Sequence, residues 1–97
     1  MPLKGKQARY LRSLAHHLKP VVLIGNGGIT QAVERKVDIE LENHELIKVK
    51  VLQGAPLSAK AAAPLLEERL GAQVAQIIGR TVVLYRPREE DPEIVLP

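Results

Sequence analysis

The sequence predicts an α/β fold of the two-layer α+β type, with the element order α-β-α-β-α-β-β and a four-stranded mixed sheet. Two observations lead to this prediction. Helix-like and strand-like apolar patterns alternate along residues 3–70, and two further strand-like segments close the chain around Gly79 and Arg80. Strands joined through helices pair in parallel with right-handed crossovers, whereas a hairpin adds an antiparallel strand. The predicted sheet is therefore mixed.

Residues 3–18 form the first predicted helix. Its apolar residues recur at helical spacing along one stripe, while Arg9, Arg12 and His16 lie together on the opposite face. Pro20 ends the helix, because proline disfavours a helical conformation of the residue before it. The helix is therefore predicted to pack on the sheet through its leucines and to present a basic face to solvent.

A glycine-rich loop follows the first predicted strand. Residues 21–24 are all apolar, which predicts a central parallel strand buried on both faces. Thr30 is a suitable N-cap for a second helix over residues 30–42, and a helix N-terminus behind a glycine turn can hold a phosphate. The spacing from Gly25 to Gly28 is Gly-x-x-Gly, which lacks the lysine of a P-loop and matches the loop with which KH domains clamp a nucleic-acid backbone. The alternative is that a tight strand-to-helix turn simply needs glycine.

The second half of the chain supplies the remaining elements. Residues 45–52 alternate between apolar side chains and lysines, which predicts a half-buried strand. A third helix is predicted over residues 57–70, in which Pro64 either causes a kink or marks the true start. Residues 74–78 and 81–86 are predicted to pair as a hairpin around a Gly-Arg turn.

The charges are unevenly distributed along the 97 residues. We expect a single domain over residues 1–88, with 14 basic and 7 acidic side chains, and an acidic tail over residues 89–97. A small basic body of this kind is typical of a nucleic-acid binder, and ordinary surface lysines are the alternative. Because two tyrosines are the only aromatic residues, recognition should rely on backbone and shape more than on base stacking.

The residue types offer little for catalysis. There is no cysteine, which removes thiolate chemistry and suits a reducing cytoplasm. No apolar run is long enough for a bilayer span or a secretory leader, so we expect no membrane association. His44 is expected to cap or pack, whereas His16 is expected to face either solvent or a phosphate. We therefore expect a protein without enzymatic activity, metal or cofactor.

Three segments together resemble a known family. They are residues 14–28, in which Leu-Lys-Pro-Val-Val precedes the glycine loop, residues 44–50 (His-Glu-Leu-Ile-Lys-Val-Lys) and residues 78–87 (Ile-Gly-Arg-Thr-Val-Val-Leu-Tyr-Arg-Pro). In this order they resemble the YhbY/CRM (chloroplast RNA splicing and ribosome maturation) family, and the similarity extends over residues 3–87. The chain resembles the stand-alone bacterial-type members.

The resemblance implies a fold similar to the C-terminal domain of translation initiation factor three. It also implies a cytoplasmic, monomeric RNA-binding protein that acts on precursors of the large ribosomal subunit, with rRNA in the pre-ribosomal particle as partner. The alternative is a module that docks on ribosomal proteins or assembly factors. One departure is that Asn26 and Gly27 occupy the loop positions where many relatives carry a basic residue. The candidate RNA-binding residues are Gly25, Asn26, Gly27, Gly28, Lys19, Arg9, Arg12, Thr30, His16 and Lys48.

Overall fold

Three helices and four strands build the protein, and the computed structural model describes residues 3–97. In chain order the elements are α1 (Gly5–Ala15), β1 (Pro20–Ile24), α2 (Gln31–His44), β2 (Leu46–Val51), α3 (Ala59–Leu70), β3 (Gln73–Ile78) and β4 (Thr81–Tyr85). The strands form one sheet in the order β1-β2-β4-β3. β1 runs parallel to β2, and the other two pairings are antiparallel. The predicted α+β fold with a mixed sheet is therefore confirmed.

Side-chain caps fix the starts of the second and third helices. The Thr30 hydroxyl accepts a hydrogen bond from the Val33 amide at 3.2 Å, as predicted for an N-cap. The Ser58 hydroxyl does the same for the Ala61 amide at 3.1 Å, so α3 begins at Ala59 and continues through Pro64. The alternative start at Pro64 is therefore wrong, because the Ser58 cap already satisfies the first turn.

The main core lies on the face of the sheet that α2 and α3 cover. Alternate residues of β2 point into it, as predicted: Ile47, Val49 and Val51 are buried there. They pack against Val37 of α2 and Leu66 of α3, which are fully buried. The opposite face of β2 therefore carries Leu46 and the two lysines.

β1 is an edge strand, which corrects the prediction of a central strand buried on both faces. Val22 and Ile24 enter the main core, but Val21 and Leu23 point outwards, and Leu23 is 54% exposed. A continuous apolar run indicates burial on both faces only when both faces are covered. Here the helix on the outer face packs against the other three strands, so the side chains of β1 on that face stay open.

α1 covers one end of the second face. Leu11 and Ala15 pack on Leu46, Val83 and Tyr85, which form a second apolar cluster. The helix ends at Ala15, earlier than the predicted residue 18, because the chain turns there. Burial and the nearby charge of Glu45 raise the pKa of Tyr85, so its hydroxyl stays protonated.

The C-terminal tail is tied to this cluster through Glu45. The Glu45 side chain is 1% exposed, and its carboxylate accepts hydrogen bonds from the backbone amides of Arg88 (2.9 Å), Glu93 (2.7 Å) and Ile94 (3.0 Å). Burial opposes ionisation, but these amides and the charge of Arg88 outweigh it and lower the pKa of Glu45. Ile94 and Leu96 then pack against the second cluster. The tail therefore closes the side of α1 that lies nearest Glu45.

Candidate nucleic-acid interface

The glycine loop presents two backbone amides to solvent. The Gly28 amide donates to the Gly25 carbonyl at 2.9 Å, which closes a tight turn, and the Thr30 amide donates to the Gly28 carbonyl at 3.1 Å. Asn26 and Gly27 form the exposed tip between them. Within residues 3–97 their amides have no hydrogen-bond acceptor. The tip can therefore donate two hydrogen bonds to an anionic ligand.

Only one glycine of the turn is required by backbone conformation. Gly28 has a φ of +71°, and a Cβ there would lie 3.1 Å from Cγ of Pro56. A Cβ on Gly25 would make an ordinary contact with Leu52 at 3.9 Å, and one on Gly27 would meet a methyl group of Thr30 at 3.3 Å. The fold therefore tolerates a side chain at Gly25 and, after a small shift, at Gly27. Their lack of side chains keeps the tip open.

Three connecting segments meet at one end of the sheet, which we call the loop end: residues 25–30, 52–58 and 79–80. The Leu52 amide donates to the Ile24 carbonyl at 2.8 Å, and the Val51 amide donates to the Arg80 carbonyl at 2.7 Å. A Cβ on Gly54 would collide with the side-chain oxygen of Asn26. The glycine loop is therefore held by its neighbours and does not project alone.

Two lysines lead from α1 to the loop end along the open face of the sheet. Lys48 pairs in register with Val83, and Lys50 pairs with Leu23 on one side and Thr81 on the other. Lys48 is half-buried and Lys50 is exposed. Both side chains lie on the face that α1 only partly covers. The candidate RNA-binding residues named from the sequence include Lys48 but not Lys50, although the alternating pattern places both lysines on the same polar face.

Two arginines of α1 lie on the same side as these lysines. Leu11 points at the sheet, and a turn of 3.6 residues places Arg12 on one flank of the helix and Leu14 on the other. Leu14 lines a groove with Ile94 of the tail, so the flank with Arg12 faces away from the tail. Arg9 points further towards solvent. We call Arg9, Arg12, Lys48 and Lys50 the basic face.

Lys19 and His16 are less well placed than the sequence suggested. Lys19 precedes β1, whereas the glycine loop follows it, and a strand of this length separates them by about 16 Å. Lys19 instead borders the groove near the tail, together with His44 and Glu93. His16 is exposed after the end of α1, where its ring meets the ring of His17 edge to face at 4.9 Å. The Thr30 hydroxyl accepts the cap hydrogen bond from the Val33 amide and can still donate its own proton.

Ion pairing separates the basic residues into two groups. Ion pairs join Lys36 to Glu40 (3.2 Å), Arg69 to Glu34 (3.2 Å), Arg86 to Asp38 (2.8 Å) and Glu42 (3.3 Å), and Arg88 to Glu93 (3.1 Å). Arg86 and Arg88 are thus held by carboxylates. Among the residues that the structure describes, no carboxylate lies within 4.0 Å of any residue of the basic face.

His44 has a partner within its own helix. His44 ends α2, and its ring lies 3.5 Å from the Glu40 carboxylate. In the part of the chain from residue 3 to residue 97, no group of three metal-ligating side chains is assembled. No helix in that part is long and apolar enough to cross a membrane.

Comparison with known proteins identifies the sequence pattern. Residues 3–86 match the model of the CRS1/YhbY (CRM) domain. The chain is 42% identical over 95 residues to the probable RNA-binding protein YqeI of Bacillus subtilis, covering 98% of this chain and 99% of that protein. It is 46% identical over 97 residues to an RNA-binding protein of Haemophilus influenzae, covering 98% and 95%.

A solved structure shows the same architecture. The solution structure of the hypothetical protein SAV1595 from Staphylococcus aureus aligns with a TM-score of 0.83 and 47% sequence identity. The alignment covers 98% of this chain and 99% of that protein. The similarity therefore extends over nearly the whole length of both chains.

Proposed function

The chain belongs to the CRS1/YhbY (CRM) family, and from this premise we propose that it binds RNA through the glycine loop and the basic face. The observation that carries the proposal is the tip formed by Asn26 and Gly27. Its two amides have no acceptor within residues 3–97, and the fold does not depend on glycine at Gly25 or Gly27. An open tip with free donors suits a phosphate oxygen, as in other backbone anion sites.

The proposed mechanism is backbone recognition. One phosphate lies at the tip, where the Asn26 and Gly27 amides donate to it. Neighbouring phosphates lie along the basic face, where Lys48, Lys50 and Arg12 neutralise them. Because these contacts involve phosphates and not base edges, they position the RNA with little dependence on its sequence.

Within the family context, we propose a role in assembly of the large ribosomal subunit, with precursor rRNA as the ligand. A cytoplasmic monomer without catalytic activity fits this role. The relatives from Bacillus subtilis and Haemophilus influenzae are themselves named RNA-binding proteins. We assign RNA binding to residues 1–88 and structural support of α1 to residues 89–97.

One observation favours a second candidate function, docking on a protein. An open groove of about 400 Å³ beside β1 is lined by Leu14, Leu18 and Val21, which are partly exposed apolar residues. Exposed apolar patches of this kind can mark protein contacts. RNA remains the first candidate, because Arg9 and Arg12, which have no carboxylate partner within residues 3–97, do not line this groove.

Substitution of Gly27 tests the proposal. Gly27→Asp places a carboxylate at the phosphate position, and we expect at least tenfold weaker binding of a ribosomal RNA fragment by fluorescence anisotropy, equivalent to about 1.4 kcal/mol. Gly27→Ala is the matched control, since it adds the same Cβ without charge and should retain most of the affinity. If the folded aspartate variant binds as tightly as the wild type, the loop is not the phosphate site.

A further inference from the structure

A second cavity lies at the loop end, beside the glycine loop. It is an open cleft of about 580 Å³ between the β2–α3 connection and the β3–β4 turn. Apolar side chains, among them Leu57 and Ile77, form its floor, and Lys60 and Arg80 stand on its rim. We propose that this cleft receives the base of one unpaired nucleotide of the RNA whose backbone lies on the glycine loop. The inference rests on the proposed function and adds a site for a single-stranded nucleotide to it.

The floor of the cleft is apolar surface that the fold leaves uncovered. Ile77 pairs in register with Val82, whose side chain is in the main core, so both point to the same side of the sheet. Yet Ile77 is 40% exposed and lines the open cleft. Leu57 and Ala55 are half-buried beside it. A flat heterocycle could cover this surface and remove it from water.

The rim supplies positive charge for the phosphate of the same nucleotide. Lys60 and Arg80 are exposed, and within residues 3–97 no carboxylate lies within 4.0 Å of either. The Arg80 carbonyl accepts a hydrogen bond from the Val51 amide at 2.7 Å, which fixes the backbone of the β3–β4 turn. The guanidinium of Arg80 takes no part in this bond. A fixed backbone with a free charged side chain is suited to an anionic ligand.

The cleft and the glycine loop share a wall. Pro56 lines the cleft and also contacts the glycine loop, since a Cβ on Gly28 would lie only 3.1 Å from its ring. Gly54, which lies in the same β2–α3 connection as Pro56, packs against the side chain of Asn26. A strand held by its phosphates at the tip is therefore directly beside the cleft.

The occupant is a base of single-stranded RNA. The volume is within the range of small-ligand sites, and the charge of the rim matches a nucleotide. A base inside a helix is stacked and cannot enter such a cleft, whereas an unpaired base can be turned out of the strand. With no aromatic side chain among the lining residues, the cleft offers apolar contact and little sequence discrimination.

The test compares two probes, a short unpaired oligouridylate and an RNA backbone of the same length that carries abasic riboses. We expect the wild type to bind oligouridylate about tenfold more tightly than the abasic chain, which corresponds to about 1.4 kcal/mol. Ile77→Ser should reduce this ratio to nearly one, and Ile39→Ser, at an exposed isoleucine of α2, is the matched control. Lys60→Ala combined with Arg80→Ala should weaken binding of both probes.

Two further results decide the inference. Lys6→Ala combined with Arg35→Ala removes the same number of unpaired charges elsewhere, and it should weaken binding less than the rim variant. An unchanged base dependence in folded Ile77→Ser, or no base dependence in the wild type, would overturn the cleft assignment while RNA binding itself stands. Competition by an acidic peptide but not by uridine nucleotides would likewise overturn it. If the wild type binds neither probe nor a ribosomal RNA fragment, it is the proposed function that fails.

Discussion

At the level of single residues, the three glycines of the loop do not serve the same purpose. Gly28 adopts a left-handed conformation against Pro56, so the fold requires it. Gly25 does not have a positive φ, and a Cβ there would make only an ordinary contact with Leu52, so the fold does not require glycine at this position. The sequence motif alone gives both the same importance. Backbone conformation therefore does not require glycine at Gly25 or Gly27, and Gly27 leaves the exposed tip without a side chain.

Alanine substitutions at Gly28 and Gly25 should change stability in opposite directions. Gly28→Ala should lower the free energy of unfolding by about 1–2 kcal/mol, because a Cβ is strained at positive φ. Gly25→Ala should raise it by about 0.4–1 kcal/mol, because alanine restricts the unfolded chain where the native angles permit it. Urea denaturation of both variants measures the two values. Equal destabilisation by both would show that the turn needs glycine throughout.

At the scale of elements, Glu45 connects α2, β2 and the C-terminal tail. It follows α2 with a φ of +63° and turns its carboxylate towards the tail amides. The hydrogen bonds place Ile94 beneath α1, so the tail and the helix support each other through one cluster. Glu45 therefore supports the packing of α1 through the tail.

Replacement of the Glu45 carboxylate should lower the free energy of unfolding and change how that free energy depends on pH. Glu45→Gln should lower the free energy of unfolding at pH 7 by about 2 kcal/mol, because the tail amides lose a charged acceptor. In the folded protein the pKa of Glu45 lies below its ordinary value of 4.5. The extra stability of the wild type over Glu45→Gln is therefore fully present above pH 4.5, and it decreases as the pH falls through the folded-state pKa of Glu45. Denaturation of both proteins at pH 7 and at pH 3 should show a smaller difference between their free energies of unfolding at pH 3. A constant difference would assign the effect to packing.

Across the whole molecule, the basic residues fall into those that pair with carboxylates and those that do not. Lys36, Arg69, Arg86 and Arg88 pair with carboxylates, whereas within residues 3–97 the basic face and the cleft rim have no carboxylate partner. The surface near the loop end is therefore positive, although the formal net charge is only +3. Such segregation attracts an RNA backbone over a distance and makes its binding sensitive to salt.

Charge reversal on α1 should be visible in that salt dependence. Arg9→Glu combined with Arg12→Glu should weaken binding of unrelated RNA sequences alike. It should also flatten the plot of log affinity against log salt by about 0.7 for each phosphate that the variant no longer neutralises. Anisotropy titrations over a range of salt concentrations measure the slope. An unaltered slope would remove α1 from the interface.

The sequence predicts the element order and the glycine loop well, because these depend on local patterns. Hydrophobic periodicity located all three helices, and Thr30 identified the start of α2. The edge position of β1 could not be predicted, because strand order depends on pairing between segments distant in sequence, which a local apolar run does not encode. The carboxylate of Glu45 was also missed, since only the folded chain brings it to amides 43–49 residues away.

The most direct test of RNA binding through the glycine loop and the basic face is ultraviolet crosslinking of the protein in cells. The attached RNA is then sequenced, and the crosslinked peptides are mapped by mass spectrometry. We predict enrichment of large-subunit rRNA precursor, with crosslinks in residues 25–30 and 48–60. Crosslinks confined to the outer face of α2, or no RNA above background from a protein that still sediments with ribosomal particles, would contradict the account and favour docking on protein.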